Sequence, residues 1–559
     1  MKTRDFLHFR LGGLHQVAIV LASSAVCSQV LALVRDRIFA TLFGTGRVLD
    51  IYYAAFKIPD LLFATVGSLA SIAILIPFFM RERAKSDQAA REMLDSVFSF
   101  FTLVVVLSAL ILFFLLPVLA HFVAPGFDAT EIETLIWMSR ILLLSPIFLG
   151  ISGLFSGITQ SFNKFFAYAL SPIFYNLGII FGALFLYKYL GNYGLAWGVV
   201  LGALGHALVQ WPVVVGSGFR PRLSIRIRWP LIREMLLTSI PRTLTLSVYQ
   251  IAIVIITSLG SILSVGSIAV FNFAFNLQSV PLAVIGVSYS LAAFPTLSRF
   301  FMEGERMKFL AHLSESMRHI IFWSLPISAL FIVLRAQIVR VILGSGAFDW
   351  TSTRLTAAVL AIFAISIVAQ SIVLLFVRAY YASGNTKEPL IANIISFFII
   401  ISSAPILLYL FRTHEIFRNF IESLLRVEGI VGTEVLMLPL AYSIGLVINA
   451  CLHWWMFLRA FPEFRKIFTK STMQAFCSAV LVGFVAHLGL ELLDNIFNIR
   501  TLPGIFAQGF LAGLVGIISG FILLRLLKNE ELPALTSALH QKFWRLKPTL
   551  PSPEEQQVI

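Results

Sequence analysis

Apolar runs of roughly 20 residues recur along the chain between short polar stretches, and each is long enough to cross about 30 Å of hydrocarbon as a helix. Run length predicts about 14 spans, over 14–41, 49–80, 93–123, 133–159, 165–190, 192–217, 236–264, 269–300, 318–343, 355–383, 389–411, 436–461, 472–493 and 503–527. The runs lack the two-residue alternation of barrel strands, so the expected fold is an all-α polytopic membrane protein. Alternate polar stretches differ in charge. One set is basic, with Arg81, Arg83, Lys85 and Arg91, or Arg220, Arg222, Arg226, Arg228 and Arg233; the other is poor in cations, with 125–133 acidic and 261–267 uncharged. The positive-inside rule makes the basic set cytoplasmic, which places both termini inside and requires an even number of spans.

The first run follows basic residues and imitates a signal peptide. Bulky Val26 before Cys27 argues against cleavage, and the run continues past it, so it reads as the first span. The chain also repeats. When "YAAFKI" (53–58) is laid on "NFAFNL" (272–277), Gln160-Ser161-Phe162-Asn163-Lys164 falls near Ser383-Gly384-Asn385-Thr386-Lys387, and Pro77 near Pro295. This predicts two pseudo-symmetric six-helix lobes, 1–218 and 219–465, two additional helices over 466–527, and a cytoplasmic tail over 528–559 that reads as dispensable. Two repeated bundles around a central interface suit alternating access.

Composition agrees: 58% of the 559 residues are apolar, 13% are charged, and the mean hydropathy is +0.90. The net charge of +14 lies between spans rather than on one soluble face, which argues against nucleic acid. Cys27, Cys451 and Cys477 are odd in number and widely spaced, and read as buried free thiols rather than a disulfide or metal set. His15, His206, His453 and His487 are isolated and read as packed or interfacial residues rather than ligands. The sequence has no G-x-x-x-x-G-K-[ST], so it encodes no ATP-driven pump of that kind.

One stretch resists this apolar reading. In "ALVRDRIFATLFGTGRVLDIYYAAFKIPD" (32–60), Arg35, Asp36, Arg37, Arg47, Asp50, Lys57 and Asp60 interrupt the first two spans. A charge at mid-membrane costs something like 2.5 to 3.5 kcal/mol on insertion scales, so such groups need partners or water. Arg35, Asp36 and Lys57, furthest from plausible loops, are expected to line a wet cavity; Arg47 and Asp60 are expected in loop positions. Pro59 is expected to bend the second span and free carbonyls toward the cavity. Guanidinium groups in such a cavity suit phosphate oxygens. Arg378, near a cytoplasmic end, reads as snorkelling. The acidic loop residues Asp128, Glu131 and Glu133 have no cationic company in sequence, which argues against a membrane-surface transferase. Residues 412–435 mix charge with Ile416, Phe417, Phe420, Ile421, Leu424 and Leu425, either as an amphipathic helix on the outer surface or as a helix packed on the bundle.

The stretch 28–62, "APGFD" (124–128), "SGITQSFNKFFAYALSPIFYNLGIIFGAL" (156–184), "VPLAVIGVSYSLAAFPTLSR" (280–299), "LGSGAFD" (343–349) and "RAYYASGNTKEP" (378–389) together resemble the successive signatures of the MviN/MurJ lipid II flippases. These belong to the multidrug/oligosaccharidyl-lipid/polysaccharide exporter superfamily. The resemblance implies a multi-pass protein of the bacterial inner membrane, working as a monomer without cofactor, metal or catalytic residue. It would move lipid II from the cytoplasmic to the outer leaflet for peptidoglycan synthesis. It also implies a central cationic cavity and an apolar groove for the polyprenyl tail on the last two spans. The family's substrate-site residues fall on Ser28, Arg35, Asp36, Asp50 and Lys57. Three family arginines are replaced, by Gln29, Phe63 and Asn276; Gln29 and Asn276 remain in the expected site, and Arg37 and Arg242 are the expected substitutes. The seventh predicted span has no acidic residue for a sodium site. The alternatives are export of another polyprenyl-linked glycan or of drugs.

Overall fold

The computed structural model describes the backbone of residues 14–67, 72–467, 470–498 and 501–533, with side chains left out at 14–20, 22, 72–74, 241–242 and 465–467. Among the described residues there is no strand. The first half contains α1 (Leu14–Phe43), α2 (Arg47–Ala55), α3 (Lys57–Thr65), α4 (Ile72–Lys85), α5 (Asp87–Val123), α6 (Ala129–Leu142), α7 (Leu144–Ser161), α8 (Phe165–Phe181), α9 (Tyr187–Leu190), α10 (Asn192–Leu208) and α11 (Trp211–Gly216). The second half contains α12 (Trp229–Ser261), α13 (Ser267–Pro281), α14 (Ser288–Met302), α15 (Arg306–Val333), α16 (Arg335–Leu343), α17 (Trp350–Ala382), α18 (Lys387–Thr413), α19 (Glu415–Leu425) and α20 (Met437–Ala460), followed by α21 (Lys470–Asp494) and α22 (Leu502–Leu526).

Among the described residues, 12 helices are long and apolar enough to cross a membrane, and they match the third to fourteenth predicted spans. The first two predicted spans are α1 and the run α2–α4, which carry the charged stretch. The helix that carries the seventh span, α12, starts at Trp229, ahead of the expected start, and in this extension the Glu234 carboxylate accepts from Arg81 at 2.7 Å at the basic end of the molecule.

Local chemistry explains the interruptions. Gly44 adopts φ +58° in the turn between α1 and α2, where a Cβ would press on the Ala347 carbonyl oxygen at 2.6 Å. Pro59 cannot donate to the Ala55 carbonyl four residues earlier. That carbonyl does not turn to a cavity as expected: it accepts from the Ser139 hydroxyl of α6 at 3.1 Å, so a packed neighbour replaces the lost bond. Gly178 of α8 and Gly182 just after it face Gly198 and Gly202 of α10 so closely that a Cβ on Gly182 would lie 2.6 Å from the Gly198 Cα.

The core divides by depth. At the cation-poor end, residues of both halves share one cluster, including Phe39, Leu49, Tyr52 and Leu135 with Ile268, Phe273, Phe348 and Phe363. At the basic end the clusters are separate: Leu75, Met93, Phe101, Leu154 and Ile232 form one, and Leu297, Leu313, Phe376 and Phe457 another. The first of these takes in Ile232 from the start of α12, so at the basic end α12 packs with the first half while the rest of the second half packs on its own. Helices α21 and α22 pack on each other and on α15 and α16 through a small cluster with Leu330, Leu334, Val482, Ala486 and Ala512.

Three expectations change here. The cysteines are free but exposed, because the helix faces that carry them point outward rather than into protein. Asp60 lies within α3 and is half-buried, not in a loop. The start of the tail is packed: Asn529 and Glu531 are buried, Asn529 donating to Gln474 at 2.9 Å and Glu531 accepting from Arg318 at 2.6 Å and His319 at 2.8 Å. Leu535, Leu539 and Phe543 lie outside the described residues.

Candidate functional site

Ser28 and Arg35 are seven residues apart and share a face of α1, with Asp36 beside Arg35. Arg35 Nε and Nη2 both donate to Asp36 Oδ1, at 2.9 and 2.7 Å, and Nη1 donates to Asn176 Oδ1 of α8 at 3.3 Å. Asn176 Nδ2 in turn donates to the Ser28 hydroxyl at 3.4 Å. The other carboxylate oxygen, Asp36 Oδ2, accepts from Asn276 Nδ2 of α13 at 3.0 Å. Asp36 is 2% exposed while the Arg35 side chain keeps 19% of its surface open. This network ties the first half to the second. Asn276 precedes Leu277, the last α13 residue of the shared core, and the separate second-half core begins at Ile285.

Two members of this cluster escaped the sequence reading. Asn176 is the one strongly polar side chain in the apolar run of α8, a signal that could have found it. Tyr53 gave no such signal; its hydroxyl is buried with no hydrogen-bond partner and stands within electrostatic reach of Arg35 and Asp36.

The other expected residues lie apart from this network. Gln29 is half-buried on α1 beside Ser28. Lys57 is buried on α3, three residues from Asp60 and so a helical neighbour of its carboxylate. Arg37 emerges on the opposite side of α1 from Arg35, where Nη1 donates to the Val341 carbonyl at 2.6 Å and to that of Ile342 at 3.3 Å, at the C-terminal end of α16. It does not reach the Arg35 cluster. Phe63 is exposed, and the side chain of Arg242 lies outside the described residues. Arg378 does not snorkel: its Nε donates to the Ser290 hydroxyl of α14 at 3.2 Å, and its guanidinium stands 5.8 Å from the Phe294 ring. His206 pairs with the Ser152 hydroxyl at 2.7 Å, His453 is fully buried, and His487 sits at the surface beside Glu491; the side chain of His15 lies outside the described residues.

Asp50 closes the cation-poor end. Its carboxylate accepts from the backbone amides of Gly266 at 2.6 Å and Ala269 at 2.9 Å, so a side chain of α2 caps the first turn of α13 across the two halves. Arg47 pairs with Glu131 at 2.8 Å, and Glu131 with Asp128 forms the capping box of α6, giving that acidic loop the cation that sequence order hid. Thr45 and Ser352 share a hydroxyl hydrogen bond at 2.7 Å, and the Ala347 amide donates to the Thr41 carbonyl at 3.0 Å. Arg35 and Arg47 are thus each matched by a carboxylate and Arg37 by helix-end carbonyls, so these guanidinium groups do not stand as unbalanced charge in the expected cavity.

Comparison with known proteins agrees with this architecture. The family model described as lipid II flippase MurJ matches residues 39–506. A probable lipid II flippase MurJ from Rhizobium tropici is 28% identical over 382 residues, covering 66% of this chain and 71% of its own. A solved lipid II flippase MurJ in an inward closed conformation superposes with a TM-score of 0.72 at 23% identity, covering 91% of this chain and 99% of that one. An inward-facing multidrug resistance MATE family transporter of the MOP superfamily gives 0.63 at 15% identity, covering 81% and 100%. These two likenesses show the fold, and the family match over 39–506 goes further: the chain belongs to the MurJ lipid II flippase family.

Proposed function

We propose that this chain moves lipid II from the cytoplasmic to the outer leaflet of the bacterial inner membrane by alternating access. The observation that carries the reading is the Arg35–Asp36–Asn276 bridge, a charged link between the two halves placed where the shared core gives way to separate ones. The basic end faces the cytoplasm, both termini lie inside, and the halves 1–218 and 219–465 act as lobes, with 466–527 as an added pair and 528–559 as a cytoplasmic tail. With the cation-poor end sealed by Asp50, the cavity opens inward.

The pyrophosphate of the substrate approaches the open face of Arg35, whose fork matches paired phosphate oxygens. The unpaired Tyr53 hydroxyl is placed to donate to it. As the phosphate draws Arg35 from Asp36, the carboxylate's hold on Asn276 changes, and with it the link between lobes. Rocking then requires Asp50 to release the α13 amides and the basic ends to close. The polyprenyl tail stays in lipid against the apolar faces of α21 and α22, where Phe476, Phe484, Phe506 and Phe510 are exposed. No covalent bond changes, so no residue is assigned a catalytic role, and a monomer without cofactor suffices.

The test is rescue of a bacterium depleted of its own lipid II flippase, by this chain and by Arg35→Ala at equal membrane abundance, scoring lipid II in the outer leaflet. Rescue by the parent and a loss of at least about tenfold in the variant is expected, since an interaction of about 1.4 kcal/mol is worth that factor. Failure of a folded parent overturns the lipid II assignment and moves the reading to another polyprenyl-linked glycan.

A further inference from the structure

Between α18 and α20 the short helix α19 divides its surface into rows. Phe417, Ile421 and Leu425 are half-buried and pack on the shared core. Ile416, Phe420 and Leu424, spaced four apart, are 87%, 61% and 62% exposed. Glu415, Asn419 and Ser423 form a second exposed row, which is polar. At about 100° per residue the two exposed rows are adjacent, so the outward surface of α19 is split lengthwise into an apolar strip and a polar strip.

The helix is mounted so that it cannot roll. Its last carbonyls, which have no partner within the helix, accept from two guanidinium groups: Leu425 from Arg335 at 3.3 Å and Arg426 from Arg354 at 3.2 Å. Glu422 accepts from the Thr433 hydroxyl at 2.6 Å, and Arg412 pairs with Glu434 at 2.6 Å on either side of it. Depth is fixed as well. Only His414 separates α19 from Thr413, the end of the membrane helix α18, whose outward face is itself apolar at Phe398, Ile406 and Tyr409. The Ile416–Leu424 strip continues that lipid-facing surface at the level where α18 leaves the hydrocarbon.

We infer that α19 lies in the interface of the leaflet into which α18 emerges, with Ile416, Phe420 and Leu424 among the upper acyl chains and the Glu415–Asn419–Ser423 row in water. The bilayer is the occupant that fits a surface apolar along one edge and polar along the next; a water-borne protein would have to cover both. Anchored through Arg335 and Arg354, α19 holds the α16–α17 end of the second half at constant depth while the first half moves against it.

The test places single cysteines by Ile416→Cys, Phe420→Cys, Leu424→Cys, Asn419→Cys and Ser423→Cys in a background with Cys27, Cys451 and Cys477 replaced by serine. Each is labelled with an environment-sensitive probe in phosphatidylglycerol-containing nanodiscs that carry nitroxide near the head of the acyl chain. Because all five positions are exposed, none of the substitutions disturbs the core. Quenching severalfold stronger at 416, 420 and 424 than at 419 and 423, with the polar row reacting at least tenfold faster with a membrane-impermeant thiol reagent, is the expected result. Equal weak quenching and equal fast reaction in both rows would overturn the inference and leave the apolar strip to a partner in water.

Discussion

Asp36 and Glu531 show how much a single carboxylate depends on what surrounds it. Asp36 is held between a guanidinium from its own helix and an amide from the other half, so it is at once a counter-ion and a strut. A resemblance to the family places an arginine at 276; asparagine there satisfies Asp36 Oδ2 without adding charge. Glu531, beyond the last membrane helix, titrates differently from an exposed glutamate. Burial pushes its carboxyl up, but the hydrogen bonds from His319 and Arg318 outweigh that and hold it below the usual range. A depressed folded value means its contribution to stability is complete above about pH 4.3, the ordinary glutamate value, and is lost as pH falls through the folded value. The expected outcome is that the stability difference between the parent and Glu531→Gln in detergent is largest near neutral pH and shrinks below about pH 4. A difference independent of pH would show that the carboxylate charge plays no part in docking the start of the tail. The Asp36–Asn276 link was beyond the sequence, because residues 240 positions apart carry no local signal of contact; Arg35 and Asp36 were legible because charge in an apolar run is costly wherever it falls.

Helix interruptions were partly legible. Pro59 marks a missing amide in the sequence, but which group answers the freed carbonyl is settled by the helix packed alongside. Removing the Ser139 hydroxyl leaves the Ala55 carbonyl buried without its donor, at about 1–3 kcal/mol. Pro59→Ala restores a backbone amide that can make the same bond. In a double-mutant cycle followed by thermal unfolding, Ser139→Ala should therefore destabilise the parent strongly and the Pro59→Ala variant little. Additive effects would mean that the two positions are not coupled through that carbonyl. The glycine contacts of α8 with α10 follow the same division. Spacing four apart offers a small-residue face, and only assembly shows that each face meets another.

For the whole molecule, the division of the core matters most. One apolar cluster joins the halves at the cation-poor end, whereas at the basic end most of the second half packs apart from the cluster that α12 shares with the first half. Opening the other end means parting Asp50 from the α13 amides and Thr45 from Ser352 together. A disulfide in place of the Thr45–Ser352 hydroxyl contact, made by Thr45→Cys and Ser352→Cys with the native cysteines replaced, should lock that end. Lipid II transport by the oxidised protein is expected to fall to background and return on reduction. Transport continuing at full rate with the disulfide formed would mean that this end need not open.

By itself the sequence determined that the chain crosses a membrane many times as helices, which segments do so, and which residues are too polar to be there without cause. Those are consequences of run length and transfer cost, and both are local properties of the chain. Tertiary structure decided the rest: that Arg37 spends its charge on helix-end carbonyls while Arg35 faces the cluster, that Asp50 caps a helix of the other half, that Glu131 finds Arg47, and that the cysteines face outward. Each of these depends on which helix faces which. Helix pairing in this fold is set by shape and by single polar contacts between distant segments, because surrounding lipid is as apolar as the helices and gives no hydrophobic preference for one partner over another.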